Sequence, residues 1–446
     1  MFRIVLTAYV LVLIASPATM AGRADVILLG AKIITSETKQ TTAEAVALAG
    51  ERILAVGATA EIRRLAGPNT RIVDLHGRTV IPGLIDAHVH LLSMRGIVDE
   101  SSLREYGRTV LPQILTGFIS HGITTVRSTG DPLPTIAELR DRLERGEIVG
   151  PRLRITGPPL TAPGGHPATT VCQSNPFCRR LNSRELESEA QARQAVREVT
   201  RARVDAIKVV VDDTVVNIPP LSDAIVAAII AEAHRGGSRV IAHVSVTDDF
   251  ATARRLIEVG LDEFAHPPLG GSDISGSVEG AELAAILARR AIPVTSTVAR
   301  ADAFRDATGA ERTFNGNPYG VVRRQQLERL LIAVRKFTDA GVKLLVGTDW
   351  SRSPVDDPRL LPGAMTLYEL EVLHRAGLST SAILTAATRN AAEALGIIDS
   401  VGTIAAGKFA DLVVLDGDLM QDFSALQRTV AVLKGGRIVH GALPAP

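Results

Sequence analysis

The chain has 446 residues, 46% of them hydrophobic and 22% charged, which is enough apolar material for one large domain with a smaller one beside it. Its 49 Lys+Arg against 48 Asp+Glu leave a formal charge of +1, and this excludes a global field that would draw it to nucleic acid or to an anionic membrane. A small-molecule substrate is the expected partner, with no nucleic acid, and homo-oligomer assembly is left open.

Residues 1–21 open with Met-Phe-Arg, continue as the apolar run IVLTAYVLVLIA and end in the small-residue stretch SPATMA. That is the three-part pattern of a signal peptide, so the mature chain is expected to begin near Gly22, in the periplasm or outside the cell, with no membrane attachment after cleavage. The alternative is an uncleaved anchor. Over 22–82 the runs ADVILLG, AVALAGERILAVG and TRIVDLHGRTVIPG are short and β-rich, separated by glycines and polar turns, with a helical period only around EIRRLAG. They predict a small antiparallel sheet domain. Residues 399–446 repeat that texture, and the two ends together predict one small β-sandwich around a central insert.

Within 83–398 β-branched strands alternate with amphipathic helices, the pattern of parallel βα units. Ser222 is placed to cap a helix ending at Gly236 and Gly237, and Thr247 to cap one ending at Gly260. Strands end near His90, Arg127, Thr156, Val211, His243, His266, Thr297 and Asp349. Eight such units predict an α/β chain folded as a (β/α)8 TIM barrel, whose chemistry sits at the C-terminal ends of the strands.

The sequence has ten histidines and two cysteines. Four of the histidines fall at predicted strand ends: His88 and His90 in IDAHVHLL, His243 in VIAHVS and His266 in DEFAHPP. Residues two apart on a strand share a face, so His88 and His90 reach one ion together. With Asp349 in LLVGTDW they form a set of N and O ligands suited to zinc or a similar divalent ion. His76, His121, His234, His374 and His440 lie in predicted turns, helices or the terminal sheet and read as hydrogen-bonded imidazoles. Lys208, inside the apolar strand DAIKVVVDD, would lose hydration there, and burial lowers a lysine's pKa. The neutral amine can take up carbon dioxide as N6-carboxylysine, an anionic bridge between two ions. Two dications bring about +4, which Asp349, the carbamate and one hydroxide reduce to about +1. A lysine snorkelling to the rim is the alternative. Cys172 and Cys178, six residues apart in a loop expected at the solvent-facing mouth, are expected to be bridged in an oxidising compartment, the other reading being two buried thiols.

The HxH after IPGLIDA, the strand lysine in IKVV, the single histidines on the next two strands, the GTD motif and the tail ILTAATRNAAEALGI…VGTIAAGKFADLVVLDGD together resemble the amidohydrolase superfamily over nearly the whole mature chain. The resemblance is strongest to its imidazolonepropionase-like and Xaa-Pro or Xaa-Arg dipeptidase (prolidase-type) branch with a carboxylated lysine. It implies that His88, His90 and Asp349 hold one metal ion, His243 and His266 the other, and that Lys208 bridges them. The segment TAPGGHPATT is similar to that branch's glycine-histidine loop, which makes His166 a candidate substrate contact. A cysteine-bearing insert follows it, and VDDTVVN stands where an alanine-threonine-glycine turn is usual.

The expected chemistry is attack of a metal-bridging hydroxide on the amide of a dipeptide or N-acyl amino acid, with Asp349 carrying the proton to the leaving nitrogen and His243 or His266 beside the oxyanion. In the connections after the third and seventh strands, Arg300, Arg305, Arg312 and Tyr319 are candidates, with His166, for binding a substrate carboxylate, unless the arginines are solvated surface charges. A lactonase or phosphotriesterase on the same site, and a non-catalytic binding barrel, are the competing readings.

Overall fold

The computed structural model describes residues 22–92, 94, 96–212, 220–244, 250–268, 277–303, 313–314, 317–352 and 357–445. The expected signal segment 1–21, the Thr247 cap, Arg305, Arg312 and the Tyr319 side chain lie outside the described residues.

Strands buried on both faces need neighbours and covering helices on each side, and the central sequence supplies both. Ile123–Ser128 and Ala206–Val211 are buried at every position. Helices Glu189–Arg201, Asp223–Arg235, Val278–Arg289 and Thr380–Ala387 each start behind a serine, Ser188, Ser222, Ser277 and Ser379, whose hydroxyl accepts a first-turn N–H. Among the expected ends, Gly237 has a left-handed φ of 73° just past the helix that ends at Arg235.

The strands form two parallel sheets. One runs Arg152–Ile155, Ile123–Ser128, Leu84–His90, Trp350–Ser351; the other runs Arg184–Glu185, Leu160–Thr161, Ala206–Val211, Arg239–Val244, Glu263–Phe264, Val294–Thr295, Leu344–Leu345. The chain passes from one sheet to the other at both margins, between Ile155 and Leu160 and between Leu345 and Trp350. This α/β arrangement is consistent with a TIM barrel. His266 and Asp349 stand just beyond short strands rather than within them.

Both chain ends build two further sheets, one of four strands from residues 24–74 and one of six that sets Leu412–Leu415 antiparallel to Thr79–Pro82. Leu28, Val46 and Val73 of the first share an apolar core with Ile33, Leu412 and Leu433 of the second. The sheets are mixed rather than antiparallel: Ala24–Leu29 pairs in parallel with Ala66–Asp74, and Lys32–Ile34 with Thr79–Pro82. Alternating apolar residues satisfy either direction, so the sequence pattern does not decide it. At the junction Gly83 is required, because a Cβ there would lie 2.0 Å from Thr124 Oγ1.

Cys172 and Cys178 are joined, with S–S 2.07 Å. Both cysteines are buried, 3% and 0% exposed, in the main core with Phe177 and Ile97, while Gln173, Ser174 and Pro176 of the loop between them are exposed.

Candidate metal centre

Alternation along Leu84–His90 sends Ile85 and Ala87 outward into an apolar layer and turns Asp86, His88 and His90 to the opposite face. Asp86, fully buried, accepts from the His88 and Thr348 amides at 3.1 Å and from the Thr348 and Thr366 hydroxyls at 2.8 Å. Burial pushes its carboxyl up to about 6 despite these bonds. It thus ties the GTD turn to the HxH strand. Gly347 allows the approach, since a Cβ there would meet Thr295 Cγ2 at 2.4 Å and His88 Cβ at 2.9 Å. Asp349 itself takes a left-handed φ of 52°, a strained conformation of the kind that clusters at functional sites.

His90 Nε2 lies 3.0 Å and His88 Nε2 3.4 Å from Asp349 Oδ1. Ligand atoms of His88, His266 and Asp349 all fall within 4.8 Å of one another. The rings continue as a chain, His88 to His266 at 4.8 Å between centroids, His266 to His243 at 4.6 Å, and His243 stacked on His166 at 4.9 Å. His88 Nδ1 donates to the Ala265 carbonyl at 3.1 Å, leaving Nε2 with its lone pair toward Asp349. His266 Nδ1 is 2.9 Å from the Thr297 hydroxyl.

Lys208 and His266 are 3% and 8% exposed, and among the described residues Lys208 Nζ and His266 Nε2 have no hydrogen-bond partner. Burial drives the Lys208 ammonium from 10.5 down to about 7 against the pull of Asp349, with Arg127 adding to the fall. Burial likewise holds His88 and His266 well below the usual histidine range, helped by Lys208 and by neighbouring imidazoles. Burial opposes ionisation of Asp349, but Arg300, His90 and His88 outweigh it and keep that carboxyl well below 3.8. Neutral imidazoles, a neutral amine and a carboxylate thus converge, with two buried polar atoms lacking partners. Such a set fits divalent cations.

The structure therefore brings together His88, His90, His266 and Asp349, with Lys208 near enough to act electrostatically on His88 and His266, and His243 and His166 extending the cluster. The group His88, His266, Asp349 spans the two ligand sets expected from the sequence. His166, pushed down to about 3 by burial with His243 next, bonds Thr170 Oγ1 at 2.6 Å. Of the other histidines, His121 bonds the Gly117 carbonyl, His234 bonds Asp262 and His374 stacks on Phe423.

Arg300 is held against Asp349 and is not a solvated surface charge. Its Nη1 donates to the Asp349 carbonyl at 2.5 Å and its Nε pairs with Oδ2 at 3.2 Å. Sequence reasoning missed several supports. Asp131 accepts from the Leu91 and Leu92 amides and the Ser128 hydroxyl, fixing the turn after His90. Below the cluster, Arg127 and Glu263 form a bidentate ion pair, both 2% exposed, that also reaches the Ala87 carbonyl and the Thr295 hydroxyl. Asp212 meets His243. The available signal was a charge inside each otherwise apolar strand.

A parallel-sheet α/β protein with a buried His/Asp/Lys cluster on and just beyond its strands has the layout of a metal-dependent enzyme. The amidohydrolase family profile matches residues 79–439, and the chain belongs to that family, in its imidazolonepropionase-like branch. An imidazolonepropionase of Brevibacillus brevis is 25% identical over 402 residues, 83% of this chain and 82% of that one. One of Geobacillus kaustophilus is 27% identical over 401 residues, 87% and 88% of the two chains. A solved prolidase complexed with N-methylphosphonate-L-proline is 25% identical with TM-score 0.75, covering 94% of this chain and all of that one. The protein is a hydrolase that acts on carbon–nitrogen bonds.

Proposed function

We propose that this enzyme hydrolyses the amide bond of dipeptides or N-acyl amino acids at a site holding two divalent ions, zinc in this reading. The observation that carries it is the approach of His88, His266 and Asp349 ligand atoms to within 4.8 Å of one another, with Lys208 Nζ and His266 Nε2 buried and without a hydrogen-bond partner among the described residues. His88, His90 and Asp349 would hold one ion and His243 and His266 the other. Lys208, its amine neutral above about pH 7, would add to carbon dioxide, forming the N–C bond and releasing a proton, to give the anionic bridge. When bound, the ions lower the pKa of a water and polarise the scissile carbonyl.

Asp349 takes the proton of the attacking water and delivers it to the leaving nitrogen, which cannot depart as an anion. Arg300, on its carbonyl and carboxylate, holds it in that position. His166, stacked on His243 and uncharged, presents a hydrogen-bonding edge to the substrate. The likeness to an imidazolonepropionase and to a solved prolidase supports a C–N substrate for this chain over an ester.

We take the two parallel sheets as one closed eight-stranded barrel over 83–398, counting Arg152–Ile155 with Leu160–Thr161 as one strand and Leu344–Leu345 with Trp350–Ser351 as another, with Arg184–Glu185 outside the eight. The bonds at each margin support it: Thr156 N to Ser128 O, and Ala87 N to Val346 O. Residues 22–82 and 399–446 form one sandwich, as their shared core suggests. An exported location suits the Cys172–Cys178 bridge. The test of substrate class is kcat/KM for the zinc-loaded protein over matched dipeptides, N-acyl amino acids, lactones and phosphotriesters. Amides are expected to rank first; a lactone or phosphotriester turned over best defeats the assignment.

A further inference from the structure

The strand that carries Lys208 ends in a charge that the reaction above does not use. Alternation puts Lys208, Val210 and Asp212 on one face, and the strand register sets His243 directly beside Val210. The Asp212 side chain is 2% exposed, and its Oδ2 lies 3.2 Å from His243 Nε2. A carboxylate accepts and does not donate, so the imidazole donates, with its proton on Nε2 and its lone pair on Nδ1. The other face of the ring is held by the His166 stack.

A ring pinned on one nitrogen can offer only the other to a cation, and a carboxylate behind a ligating histidine both orients it and raises its basicity. We infer that Asp212 is a positioning residue for His243: it fixes the ring's orientation and tautomer so that Nδ1 faces the second metal ion, and thereby sets the affinity for that ion. The inference rests on the two-ion reading of the site.

The test compares wild type with Asp212→Ala and Asp212→Asn by chelator competition on the metal-loaded proteins and by 15N shifts of the His243 ring in the metal-stripped proteins. Asp212→Ala should weaken the more loosely held ion by about 10–100-fold and let His243 populate both tautomers. Asp212→Asn, whose amide oxygen still accepts the hydrogen bond, should retain most of the affinity and the Nε2–H tautomer. If Asn is as damaging as Ala, Asp212 acts as an anionic ligand and the inference is overturned. It is equally overturned if both variants hold metal as wild type does, or if His243 of wild type is protonated on Nδ1. A wild-type protein that binds no stoichiometric metal defeats the two-ion reading instead, and the tautomer measurement still decides whether Asp212 directs His243.

Discussion

Lys208 is the residue on which the site's charge balance turns. As a buried ammonium among imidazoles it would repel cations, whereas as a carbamate it supplies a negative bridge. Lys208→Ala should lose most activity and at least one ion, and short carboxylic acids should restore part of both by standing in for the carbamate; full activity with unchanged metal content in Lys208→Ala contradicts the bridge. The pH dependence follows from the same amine. Carbon dioxide adds only to the neutral form, and burial has lowered the pKa from 10.5 to about 7. Reactivation of metal-stripped enzyme by zinc at a fixed concentration of dissolved carbon dioxide should therefore level off above about pH 7 and fall about tenfold per unit well below it. A rate that keeps rising to pH 10 indicates an unshifted lysine. Lys208, His88, His90, His243, His266 and Asp349 could be singled out because each sits in a short local motif, and the structure gathers ligand atoms of His88, His266 and Asp349 within 4.8 Å. Arg300 and Asp212 were not legible as partners: their contacts lie 49 and 31 positions away in the chain, and only folded strand order brings them together.

Strands in this fold are held beneath the site by a buried charge pair rather than by apolar packing alone. Arg127 and Glu263, 136 positions apart, span from the Ala87 carbonyl to the Thr295 hydroxyl and so tie the HxH strand to the strand that precedes His266. Removing one member strands the other charge in the core, which costs about 3–5 kcal/mol. Glu263→Ala should thus lower the thermal midpoint markedly, and pairing it with Arg127→Met should recover much of the loss. Equal destabilisation in the double variant would show that the carboxylate matters for something other than its partner. The helix Asp223–Arg235 was readable from its Ser222 cap and its glycine end, and strand positions from β-branched runs. Strand length was less readable: His266 and Asp349 lie past two-residue strands because Pro267 follows the one and the glycine-containing GTD turn carries the other.

At the scale of the molecule, the texture change near residue 83 and the return of β-rich sequence near 399 led to the expectation of one sandwich built from both ends; the structure pairs Leu412–Leu415 with Thr79–Pro82 in one sheet. Their mixed direction was not legible, since period-two alternation is the same for parallel and antiparallel neighbours. The arrangement brings imidazoles from separate strands together with Asp349 in a group that could hold a metal ion. The measurement that tests this most directly is the hydrolysis rate of an N-acyl amino acid or dipeptide as a function of metal added back to stripped protein in bicarbonate at pH 8. The account predicts negligible rate without metal and a rise that saturates at two equivalents per chain; full activity in the metal-free protein, or no binding of divalent ions at all, contradicts it.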